Sequence, residues 1–198
     1  LLNGGTIVHA SKDELIDPVR LTQIISEFQI TAAWITKSVF DLIVQINPST
    51  LSHINDLIIG GEALSPKFAE KFLLSSKTTR LWNGYGPTET TTFATIDRLY
   101  LDKANKLSPI YIGSPVFGNQ IYVLGPDKEF VSPGSVGELY ITGAGVGDCY
   151  LDDCDATAAS FLPDPYSDIL GQKMFRTGDF VQVIQPNKLC FLGRRDNL

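Results

Sequence analysis

The chain reads as an α/β protein. It should form a parallel sheet with flanking helices over residues 1–99, then a β-rich subdomain over residues 100–198. Three observations predict this. Short apolar runs alternate with helix-spaced apolar faces throughout the first half. The helical segments open on cap residues followed by Pro. After about Leu99, Pro, Gly and Asp become frequent and the apolar runs shorten.

In chain order, Thr6 to Ala10 reads as a strand. Asp17 then Pro18 reads as an N-cap and first helical residue, and Leu21, Ile24, Ile25 and Phe28 follow at helical spacing. Ile30 to Ile35 is short and apolar, as a buried strand is. Val39, Leu42, Ile43 and Ile46 give the next helix face, which Asn47-Pro48 ends. Leu57 to Ile59 is a third strand. Ser65-Pro66 starts a helix with Phe68, Ala69, Phe72 and Leu73 on its apolar side. Arg80 to Trp82 leads into a bend rich in turn residues. Beyond Leu99, strands are expected at Ile121 to Leu124, Glu138 to Thr142, Phe180 to Ile184 and Leu189 to Leu192. Gly125-Pro126-Asp127 and Ser132-Pro133-Gly134 punctuate them as turns.

Bulk properties narrow the function classes. The 43% hydrophobic and 19% charged content suits an ordinary globular protein. No apolar run reaches the roughly 20 residues a membrane helix needs, and Leu1 to Gly5 lacks a leader's basic start. A cytoplasmic location is expected. A net charge of −6 argues against nucleic-acid binding. Cys149, Cys154 and Cys190 form no CxxC pair, and His9 and His53 do not cluster with them. Reduced thiols, not a zinc site, are therefore expected.

The bend Asn83-Gly84-Tyr85-Gly86-Pro87-Thr88-Glu89-Thr90-Thr91 brings together backbone N–H groups, an aromatic face, a hydroxyl and a carboxylate. A nucleotide with Mg²⁺ calls for such parts. Downstream stand Gly137-Glu138-Leu139-Tyr140-Ile141-Thr142-Gly143, Phe175-Arg176-Thr177-Gly178-Asp179 and Leu192-Gly193-Arg194-Arg195-Asp196. These four runs, in this order, resemble the core motifs of the adenylation domains of nonribosomal peptide synthetases, within the acyl-adenylate-forming superfamily. Ile58-Ile59-Gly60-Gly61-Glu62-Ala63-Leu64 resembles that family too. The family's Gly-rich phosphate loop and its C-terminal catalytic lysine have no counterpart, so an internal fragment of the domain is expected, with negligible turnover by itself.

The resemblance implies activation of an amino acid by ATP to an aminoacyl-adenylate, then transfer to the phosphopantetheine thiol of a carrier domain. A condensation domain is implied in the same synthetase, and the β-rich part over residues 100–198 is implied to be the family's distorted barrel. Carried over residue by residue, Tyr85 stacks on adenine, with Asn83, Gly84 and Gly86 around it. Gly61, Glu62 and Ala63 wall the adenine slot, Thr88 bonds the α-phosphate region and Glu89 holds Mg²⁺. Asp179 accepts the ribose hydroxyls, Arg194 approaches ribose and phosphate, and Asp196 is the hinge. Trp34, Ile58, Gly60, Gly84, Thr92 and Phe93 line the side-chain pocket. With small and apolar residues and no charge, the pocket resembles those selecting valine, and isoleucine is rejected only weakly because one methylene is worth about 1–3 kcal/mol. Two other readings are an acyl- or aryl-CoA ligase fragment and a non-catalytic, degenerate module. The family departs from this chain at Asp148-Cys149, where an Arg-Gly pair is usual before the Tyr; a Cys there could strain a backbone suited to Gly.

Overall fold

The computed structural model describes residues 4–195. Asp196, the expected hinge, lies outside the described residues. Its elements are α1 (Lys12–Ile16), α2 (Pro18–Glu27), β1 (Ala32–Thr36), α3 (Lys37–Ile46), β2 (Asp56–Gly60), α4 (Pro66–Ser75), β3 (Arg80–Tyr85), β4 (Thr95–Leu99) and β5 (Ser114–Pro115). They continue with β6 (Asn119–Leu124), β7 (Val136–Gly143), α5 (Cys154–Ser160), β8 (Phe161–Pro163), β9 (Lys173–Gln185) and β10 (Lys188–Arg194). One sheet has the order β1-β2-β3-β4-β5 and mixes parallel with antiparallel pairing. The other has the order β10-β9-β7-β6, with β8 also on β9. The described residues divide into two compact units, residues 4–83 with 98–110, and residues 84–97 with 111–195.

In the first unit β1 and β2 run parallel, pairing Trp34 with Ile58 and Thr36 with Gly60. Of the three long helices only α2 has a side-chain cap; Thr36 before α3 and Ser65 before α4, the expected cap, make no such bond. Asp17 Oδ1 accepts from Val19 N at 2.9 Å and Arg20 N at 3.2 Å, and Pro18 takes the first helical position of α2. Leu21, Ile24 and Ile25 then face inward. Phe40, Ile43 and Val44 of α3 and Ala69, Phe72 and Leu73 of α4 meet Leu57 and Ile59 of β2 in one core. Burial of these side chains, each worth about 1.5–3 kcal/mol, is what holds the helices on the sheet.

The second unit has its own core of Ala94, Ile112, Val123, Leu139, Ile141, Val181 and Leu189. The long strand β9 is its spine, pairing antiparallel with β7, β8 and β10.

Several expectations are corrected. Thr6 to Ala10 is not a strand: it has no strand partner, and Ile7 is 70% exposed. The β-rich part does not close into a barrel; it is an open antiparallel sheet. Strand Phe180 to Ile184 begins instead at Lys173: the run Arg176 to Asp179 is polar and shows no apolar alternation in the sequence, yet Thr177 and Asp179 are buried and the strand continues through a bulge at Gly178. The short helices α1 and α5 were absent from the sequence reading; each rests on a local cap, Ser11 with Glu14 and Asp153 with Ala156. At five and seven residues, they are too short to show periodicity.

Candidate functional site

In the second unit the bend after β3 is a closed loop. Ala94 N donates to Tyr85 O at 2.8 Å, and residues 86–93 bulge out between them. Two glycines make this possible. A Cβ on Gly86 would lie 2.5 Å from Thr92 O and 2.6 Å from Ala94 N, both backbone atoms. A Cβ on Gly84 would lie 2.6 Å from the Phe93 ring, which therefore fills the space over Gly84. Thr88–Thr90 form one 3₁₀ turn after Pro87. Thr91 and Thr92 then both adopt positive φ, 59° and 67°. Two consecutive β-branched residues in this region are strained and need outside support.

The loop after β7 supplies that support. Thr91 Oγ1 donates to Gly145 O at 2.8 Å, and Gly147 N donates to Glu89 O at 2.8 Å. Tyr150 Oη donates to Glu89 Oε1 at 2.6 Å. Burial raises the Tyr150 pKa, and the hydrogen bond to Glu89 adds to it. Asp148 and Cys149 lie in this loop. Asp148 O accepts from Lys173 Nζ at 2.9 Å, and Cys149 is exposed with no positive φ. The anticipated backbone strain at Cys149 is thus absent.

Asp179 is placed by a bulge in β9. Opposite β7 the register jumps between Glu138–Phe180 and Tyr140–Arg176, and Gly178 takes φ +73°. The extra residues turn the Asp179 carboxylate toward Tyr85 and Arg194. Tyr85 Oη donates to Asp179 Oδ2. Arg194 Nε stands 3.5 Å from Asp179 Oδ1, and its Nη2 donates to Thr177 O at 3.3 Å. Asp179 is buried, and burial pushes its carboxyl above the ordinary range, against the hydrogen bond from Tyr85 and the Arg194 charge, which lower it. The Tyr85 phenol is pushed well up by the same burial and by Asp179. Behind this trio Arg176 grips Glu138 through two hydrogen bonds of 2.8 and 2.9 Å, and Tyr140 donates to Glu138 at 3.1 Å. Burial and Glu138 raise the Tyr140 pKa to about 12.

The second unit therefore joins Tyr85, Asp179 and Arg194 in one cluster, and draws Glu89 to Tyr150 in another. Gly84 and Phe93 touch each other, Gly86 packs on Thr92, and Thr88 begins the 3₁₀ turn. In the first unit, Gly61, Glu62 and Ala63 follow β2, with Gly61 at φ +91°. Glu62 accepts from Ser38 Oγ at 3.1 Å and lies 3.8 Å from Lys37 Nζ, so its carboxylate is tied to the start of α3. Trp34 and Ile58 are partners across β1 and β2, with Gly60 at the end of β2 and Asn83 buried on β3. Sequence reasoning missed Tyr150, Gly147 and Thr177. Their roles come from contacts 17 to 61 residues apart, which no local pattern marks.

Among the described residues no three His, Cys, Asp or Glu side chains gather as a metal cage, and the cysteines are free. A lone carboxylate such as Glu89 suits a Mg²⁺ that arrives on substrate phosphates, since that ion keeps most of its ligands from phosphate and water.

A family description for AMP-binding enzymes matches residues 1–151. Tyrocidine synthase 3 of Brevibacillus parabrevis is 36% identical over 196 residues, covering 99% of this chain and 3% of its own length. Malpibaldin synthetase of Mortierella alpina is 39% identical over 198 residues, covering 99% of this chain and 4% of its own length. Among solved structures, an NRPS protein containing adenylation and PCP domains, bound to a vinylsulfonamide inhibitor, superposes with a TM-score of 0.82 at 34% identity. The match covers 90% of this chain and 31% of that one. The N-terminal subdomain of Klebsiella oxytoca NpsA, at 23% identity and a TM-score of 0.79, shares the fold. The chain thus spans only a few per cent of these synthetases' length. With the family match over three quarters of its residues and synthetase relatives along all of it, the chain belongs to the AMP-binding enzymes, in the adenylation-domain branch of the nonribosomal peptide synthetases.

Proposed function

We propose that this chain is the part of an adenylation domain that binds a nucleoside and a compact, branched aliphatic amino acid, with L-valine as the substrate. The observation that carries the nucleoside reading is the buried Asp179 carboxylate, aimed by the Gly178 bulge at a position shared with Tyr85 and Arg194. A buried carboxylate flanked by a phenol and a guanidinium matches a ribose diol, which brings two O–H donors to one acceptor pair. Tyr85 is assigned to stack on the purine, and Arg194 to add positive charge for phosphate. Thr88 supplies a hydroxyl to the α-phosphate region. Gly61, Glu62 and Ala63 of the first unit are assigned to adenine, as is Asn83.

In the reaction, an amino-acid carboxylate oxygen attacks the α-phosphorus of ATP. The bond to the β-phosphate oxygen breaks, leaving aminoacyl-adenylate and pyrophosphate. The chain's part is to orient the reactants and offset the charge. Glu89 would hold Mg²⁺, which neutralises phosphate charge when bound. The acyl group then passes to the phosphopantetheine thiol of a carrier domain, beside a condensation domain, in the cytoplasm. The resemblance assigns Trp34, Ile58 and Gly60 of the first unit, and Gly84, Thr92 and Phe93 of the second, to side-chain recognition. The Phe93 ring over Gly84 supports a short side chain, since it occupies room a long one would need.

Amino-acid-dependent ATP–pyrophosphate exchange tests this, with the segment inside a complete adenylation domain. Valine should lead, and isoleucine should trail modestly, by about tenfold, the low end of what one methylene is worth. A different leading amino acid refutes the pocket assignment. Exchange with none, in a folded domain, means that the Asp148-Cys149 departure has disabled it or that the substrate is not an amino acid.

A further inference from the structure

We infer that Tyr150 is a positioning residue for Glu89, fixing its carboxylate for the metal that accompanies the nucleotide; this rests on the assignment of Glu89 to Mg²⁺. Nothing in the sequence pairs these residues, 61 positions apart, yet Tyr150 Oη lies 2.6 Å from Glu89 Oε1. Tyr150 is itself held from several sides. Its N–H donates to Thr157 Oγ1 at 2.9 Å, and Thr157 Oγ1 donates to Asp153 O at 2.7 Å in the first turn of α5. Its ring packs edge-on against Phe161, centroids 5.2 Å apart, and Phe161 is buried. Glu89 is also fixed at its main chain, where Gly147 N donates to its carbonyl at 2.8 Å. One short loop after β7 thus anchors both the backbone and the carboxylate of one glutamate.

An unanchored glutamate loses rotamer freedom when it takes a single position. A phenol held by a helix and a buried ring settles much of that loss in advance, and leaves the second carboxylate oxygen to a cation. Tyr150 touches neither nucleotide nor metal in this scheme. It acts through Glu89.

The test is calorimetric titration of ATP, with and without Mg²⁺, into the complete adenylation domain that contains this segment. Wild type is compared with Tyr150→Phe, Glu89→Ala and the double variant. Phe keeps the ring on Phe161, so the fold is retained, which thermal unfolding checks. Tyr150→Phe should weaken Mg²⁺–ATP binding about tenfold, because the Glu89 side chain must then be ordered on binding, and leave metal-free ATP binding unchanged. Glu89→Ala should abolish the preference for Mg²⁺–ATP, and adding Tyr150→Phe to it should change nothing more. If Tyr150→Phe weakens both forms equally, or neither, while Glu89→Ala abolishes the preference, the inference fails and the metal assignment stands. If Glu89→Ala keeps the preference, the metal assignment fails and takes the inference with it.

Discussion

Asp179 shows how one buried group can weigh against the fold. Its carboxyl is raised by burial more than Tyr85 and Arg194 lower it. The folded chain therefore binds that proton more tightly than the unfolded chain, whose carboxyl titrates near 3.9. Its contribution to stability is most favourable below that pH and declines as pH rises from there through the raised folded value. Asp179→Asn keeps an acceptor for Tyr85 and removes the charge. At neutral pH it should raise the unfolding temperature and flatten its pH dependence, while nucleoside binding falls; a lowered unfolding temperature would contradict this. Tyr85→Phe, by contrast, should cost about 1.5–3 kcal/mol in chemical denaturation, since it deletes a hydrogen bond to the same buried carboxylate. The residue types at this cluster were legible in the sequence. Their joint geometry was not, because Tyr85 and Asp179 are 94 positions apart.

At the scale of elements, the loop between β3 and β4 depends on backbone proximity. Gly86→Ala would drive a methyl into Thr92 O and Ala94 N, and should cost about 3 kcal/mol or prevent folding, as read by denaturant unfolding. The strained pair Thr91 and Thr92 should behave differently from each other. Thr92→Gly relieves a left-handed β-branched residue and should be neutral to stabilising, by up to about 1 kcal/mol. Thr91→Gly also loses the bond to Gly145 O and should gain less. In α2, Asp17→Ala should cost about 1 kcal/mol, because two N-terminal N–H groups lose their acceptor. That cap, Pro18 and the 3.6-residue spacing were visible in the sequence, and the helix stands where they put it. The strand assigned to Thr6–Ala10 failed because apolar character without a pairing neighbour does not make a strand.

At the scale of the molecule, two separate apolar cores hold the two units. Leu57→Ala in the first and Leu139→Ala in the second should each cost about 2–5 kcal/mol in denaturant unfolding, since both side chains are fully buried. By sequence alone, four ordered motifs identified the family, and alternation of strand and helix signals defined the α/β half, because both are written in local spacing. Tertiary structure alone decided that the β-rich half is an open sheet, that the Gly178 bulge turns Asp179 toward Tyr85, and that Tyr150 reaches Glu89. The reason is physical. Periodicity and caps act over one or two turns of chain, whereas sheet closure, bulge register and side-chain pairing depend on distant strands meeting in a particular register.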